Sequence, residues 1–80
     1  MTDPSIEDAL RRLEAGDWDG AHRLVQDIDG EDAAWIHAHL HRLEGDLGNA
    51  AYWYRRAGRP VETGDLEAER AGIVATLRTL

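Results

Sequence analysis

Apolar residues along the chain recur at intervals of three and four, and aspartates and glycines punctuate them at regular places. That period predicts helices, because side chains three and four apart share one helix face. No segment alternates as a strand would. Asp3-Pro4-Ser5 reads as a helix start, with Asp3 capping and Pro4 at the first helical position, or Ser5 capping with Asp8 three residues on. Ile6, Ala9, Leu10 and Leu13 then make the apolar stripe of a first helix over 5–15, which Gly16 ends. Asp17 caps a second helix over 18–28, with Trp18, Ala21, Leu24, Val25 and Ile28 facing inward, and Gly30 stops it. Asp32 opens a third over 32–44, with Ala33, Ile36, Leu40 and Leu43 as its core stripe. Trp35 and His39 fall on one flank of that stripe, and His37, His41 and Glu44 on the other. Gly45 ends this helix and Asp46 caps a fourth over 47–57, pointing Leu47, Ala50, Trp53, Tyr54 and Ala57 inward and Tyr52 and Arg56 outward. Residues 58–64 form the clear loop, and Asp65 caps a fifth helix over 66–79 with Leu66, Ile73, Leu77 and Leu80 on its apolar side.

A shift of 29 residues lays Gly16-Asp17-Trp18 on Gly45-Asp46-Leu47, Ala21 on Ala50, Leu24 on Trp53, Val25 on Tyr54 and Ile28 on Ala57. A helix-turn-helix unit repeating at such a period signals a helical solenoid. The second unit, GDLGNAAYWYRRAGRP, resembles the latter half of a tetratricopeptide repeat. It has Gly-Asp at the turn, a small residue at Ala50, an aromatic at Tyr54, then Ala57 and Pro60. The run Ala50-x-x-Trp53-Tyr54-x-Arg56-Ala57 is similar to the Sel1-like variant of that repeat. The resemblance covers about residues 5–60. It departs from the family in its period, 29 residues against about 34, and in Trp35, one residue nearer the turn than the family's aromatic. The whole chain also resembles a class of small bacterial proteins that brings no mechanism with it.

The expectation is therefore a single all-α domain over 1–80: unit one at about 5–29, unit two at about 32–60, and a capping helix at about 65–79. The two units are antiparallel αα-hairpins stacked as a short tetratricopeptide-like solenoid. Two units are fewer than a solenoid usually needs. Either the fifth helix or a second copy must close the stack, and a homodimer is the expectation.

Composition narrows the function. Eighty residues bury only about 60% of their unfolded surface, so this is one small domain. The formal net charge is −7. Residues 1–32 hold ten acids and three arginines, whereas residues 33–61 hold two acids and four arginines. The acidic balance speaks against nucleic acid, whose binding needs phosphate-neutralising charge. No apolar run suits a membrane span or a signal core, and no cysteine is present to form a disulfide, thiolate metal site or thiol nucleophile. A soluble cytoplasmic protein without a cofactor is the expectation. No phosphate-cradling glycine loop, calcium loop or nucleophile elbow occurs, and Ser5, the only serine, sits at a helix start.

Three groups carry candidate chemistry. His37, His41 and Glu44, at i, i+4 and i+7, share a face on which two imidazoles can hold a first-row metal. The ordinary explanation is two histidines beside a surface acid. Trp35 and His39 either pack on a neighbouring helix or line one wall of a ligand groove. Tyr52, Arg55, Arg56 and Arg59 suit the negative end of the fourth helix and can pair with the chain's own acids. Arginine forks also recognise carboxylates or phosphates bidentately, and Tyr with Arg is a frequent hot-spot pair. His22 borders the core of the second helix and is given no role. The reading favoured is a non-enzymatic protein–protein interaction module whose partner is an unidentified protein or acidic peptide. The alternative is a metal- or small-molecule-binding protein using the His/Trp face of the third helix.

Overall fold

A computed structural model describes residues 4–78. The pattern of caps and stripes produces five helices: α1 (Pro4–Ala15), α2 (Trp18–Val25), α3 (Glu31–Leu43), α4 (Leu47–Arg56) and α5 (Leu66–Arg78). The described residues contain no strand. The fold is all-α. α1 packs on α2 and α3 on α4, α2 lies against α3, and α5 crosses both α3 and α1.

The two Gly-Asp turns are built alike. Gly16 and Gly45 both adopt positive φ, 78° and 79°, a backbone state that only glycine enters without cost. Each thereby closes the helix before it: the amide of Gly16 bonds to the carbonyl of Leu13 and that of Gly45 to Arg42, while Asp17 and Asp46 reach back to Arg12 and His41. The aspartates then start the next helix. Asp17 Oδ1 accepts from the Gly20 amide and Asp46 Oδ1 from the Asn49 amide. Asp65 caps α5 in the same way, accepting from Ala68.

Four local expectations need correction. α1 begins at Pro4, one residue before the expected start, and the expected cap Asp3 and expected core residue Leu80 lie outside the described residues. α2 stops at Val25, not 28, because the amides of Asp27 and Ile28 bond three residues back and tighten the chain out of the helix. α3 is capped by Gly30, with φ 110°, and not by Asp32, so Glu31 and Asp32 occupy its first turn, where acids suit the helix dipole. Trp18 and Leu47, expected to point inward, are 37% and 66% exposed. Each is the first residue of its helix, beside a turn where the preceding helix has already ended.

α3 is the centre of the molecule. Ala33 to Leu40, eight successive residues, are all buried, so this helix is covered on every side and not along one stripe. α2 and α4 contribute Ala21, Val25, Ala50, Tyr54 and Ala57 to the core, and α1 supplies Ile6, Ala9, Leu10 and Leu13. α5 adds Ile73 and Leu77, and its Arg78 clamps α1 through Glu7 (2.9 Å) and Glu14 (2.7 Å).

Candidate functional site

Burying α3 on all sides carries its alternating histidines into two unlike environments. On one flank, His39 is 1% exposed and its Nδ1 donates to Glu69 Oε1 at 2.7 Å. The same oxygen accepts from Arg42 Nη1 at 2.7 Å, and Glu69 Oε2 accepts from the Tyr54 hydroxyl. Arg42 also donates to the carbonyl of Gly64, which ties the 58–65 loop to α3. One carboxylate thus joins α3, α4 and α5. Burial alone would raise the pKa of Glu69, but hydrogen bonds from His39, Tyr54 and Arg42 outweigh it and hold the group below its ordinary value. Burial and the bond to Glu69 push the Tyr54 hydroxyl up.

On the other flank, His37 meets His41 one turn on and His22 from α2. The His37 and His41 rings stack with centroids 4.9 Å apart, and His22 stands edge-on to both at 4.7 and 5.1 Å. Nε2 of His22 lies 3.0 Å from Nε2 of His37. One ring nitrogen from each of the three histidines falls within 4.8 Å of the other two. Acids approach from the rim only: Glu44 lies 3.2 Å from His22 Nδ1 and 3.9 Å from His41 Nδ1, and Asp46 lies 4.0 Å from His41. His37 Nδ1 and His41 Nδ1 are buried without a hydrogen-bond partner, as are His39 Nε2 on the first flank and Arg12 Nε. Desolvation, then repulsion from His22 and His41, lowers the pKa of His37 to about 4. Its imidazole is neutral at neutral pH.

Trp53 connects this cluster to the outer face of α4. Its indole stacks on His37 at 3.9 Å and 18°, while Tyr52 meets it edge-on at 5.1 Å. The guanidinium of Arg56 lies over both rings, 5.8 Å from Tyr52 and 5.5 Å from Trp53, and donates to the Tyr52 hydroxyl at 3.3 Å. Arg55 is exposed on the same helix. Arg59 is elsewhere: its guanidinium covers the buried Trp35 at 3.4 Å, beside an open cleft of about 270 Å³ that Tyr54, Pro60 and Glu69 also line. His39 does not share that cleft, because the Glu69 network holds it.

Of the residues singled out in the sequence, the structure joins His37, His41 and Glu44, joins Tyr52 with Arg56, and joins Trp35 with Arg59. It places Arg59 on Trp35, apart from the Tyr52–Arg56 pair, and leaves His39 outside the cleft that Trp35 lines. Sequence reasoning passed over His22, Glu69 and Arg42. His22 comes to His37 from 15 residues away and Glu69 to His39 from 30, so no spacing on one helix reveals either. No family model, curated protein or solved structure matches the chain.

Proposed function

We propose that the chain is a small tetratricopeptide-like interaction module that binds an acidic segment of a partner protein on the outer face of α4. The observation that carries this reading is the Tyr52–Trp53–Arg56 set, in which two aromatic rings and a guanidinium are already assembled at the surface. A chain with sixteen acids leaves Arg55, Arg56 and Arg59 without a carboxylate within ion-pair distance among the described residues. Preassembled side chains lose little entropy when a guest arrives, and Arg with Tyr supplies both fork and anchor. The charge of residues 33–61 complements an acidic guest and opposes a basic one. No described helix is long and apolar enough to cross a membrane; the compartment we assign is the cytoplasm, on the cysteine-free composition.

Labelled acidic, neutral and basic peptide libraries, read by fluorescence anisotropy, test the reading. Salt-sensitive binding of the acidic library, weakened at least about tenfold by Arg55→Ala with Arg56→Ala, is the expected result. Equal binding of all three libraries, or binding indifferent to the double variant, sinks it.

A further inference from the structure

We infer that His22, His37 and His41 form a binding site for one divalent transition-metal ion of the zinc, nickel or copper kind, with Glu44 orienting His22. The inference is independent of peptide binding on α4. Two observations carry it. First, the three imidazoles converge from two helices, and one nitrogen of each lies within 4.8 Å of the others. A zinc ion with Zn–N bonds of about 2.0–2.1 Å holds neighbouring ligand nitrogens roughly 2.9–3.4 Å apart, depending on geometry. The His22–His37 pair, at 3.0 Å, is already inside that range; an ion bound to both nitrogens sits to one side of the line between them and displaces the proton they share to solvent. His41 is half-buried at the cluster rim, and bringing a nitrogen from the 4.8 Å limit into that range takes a closure of about 1.4–1.9 Å, within reach of side-chain rotation.

Second, the cluster has the outer shell a metal site needs. Glu44 Oε1 lies 3.2 Å from His22 Nδ1, so the carboxylate accepts from that nitrogen and leaves Nε2 turned toward His37. A carboxylate behind a ligating histidine fixes its tautomer and raises its basicity. The indole of Trp53 lies flat on His37 and fixes the plane of that ring.

The donor set identifies the class of ion. Neutral imidazoles suit zinc, nickel, copper and cobalt, whereas calcium and magnesium demand oxygen. Three protein ligands leave a fourth position open. His37 is Glu44's equal in the sequence but not in space: Glu44 is the orienting group, and His22 takes the third ligand place expected for it.

Isothermal titration of the untagged full chain with Zn²⁺ tests the site, with Mg²⁺ as control and Co²⁺ absorption reporting geometry. One Zn²⁺ per chain is expected, with no heat from Mg²⁺. His22→Gln should weaken Zn²⁺ binding at least about tenfold, since it removes a ligand, and Glu44→Gln about tenfold or more, through the outer shell. Circular dichroism checks that His22→Gln folds; if it does not, the exposed Glu44 variant and the wild-type stoichiometry decide. Failure of the wild type to take up one Zn²⁺, or wild-type affinity in folded His22→Gln, overturns the inference. The latter outcome would mean an adventitious ion on the His37–His41 pair alone.

Discussion

His37 and His39 stand two residues apart on α3, both buried, and are treated in opposite ways. His39 is held against a carboxylate that is itself held by Arg42 and Tyr54, a network that closes on protein groups from three helices. His37 meets two other imidazoles and an indole, and no acid. A buried carboxylate that accepts from several helices at once holds them in one arrangement, whereas imidazoles that meet only one another can turn a nitrogen to an ion. The first flank therefore ties three helices together, and the second is the one to which we assign the metal ion.

The largest effect comes from breaking the lock. Glu69→Ala removes the carboxylate shared by His39, Arg42 and Tyr54, leaves His39 Nδ1 and the Tyr54 hydroxyl buried without an acceptor, and breaks the ion pair with part-buried Arg42. Loss of one such partner costs roughly 3–5 kcal/mol, a large fraction of the stability of a domain this size. Chemical denaturation should show that loss. A change of under about 1 kcal/mol would mean that the network is dispensable.

Acid probes the other flank with a smaller effect. The folded state holds the pKa of His37 at about 4 against 6.5 for the free side chain, so the unfolded chain binds the proton first. The stabilisation is complete above pH 6.5 and is lost as pH falls from 6.5 toward 4, by at most about 3 kcal/mol. The groups facing His37 are His22 from α2, His41 on α3 and Trp53 from α4, with Glu44 at the rim. Solvent at the half-exposed His22 and His41 reduces the figure. Glu69, with its pKa held below 4.5, acts in a lower window, losing its contribution as pH falls below that value. His37→Gln should remove the loss between pH 6.5 and 4 and leave the lower one; an unchanged profile would assign the acid sensitivity to other groups.

The helices were legible because their ends are local. Asp17, Asp46 and Asp65 each cap within three residues, and Gly16 and Gly45 each close a turn with their own φ. The stripes of α1 and α4 also read correctly at Leu10, Leu13, Ala50 and Tyr54. The site was only half legible. His37 and His41 share a helix, so spacing announces them; His22 reaches them through the packing of α2 on α3, which no periodicity encodes. α3 misled for the same reason, since a stripe analysis presumes one buried face and this helix has none exposed along Ala33 to Leu40.

The four imidazoles are the whole histidine content of the chain, so one spectrum can follow both flanks. Nitrogen-resolved NMR of the imidazoles, recorded before and after one equivalent of Zn²⁺, puts the contrast to its most direct test. The resonances of His22, His37 and His41 should shift together while His39, engaged with Glu69, stays in place. Movement of His39, or three unmoved resonances from the cluster, would contradict the division of α3 into a locked flank and a ligand-ready one.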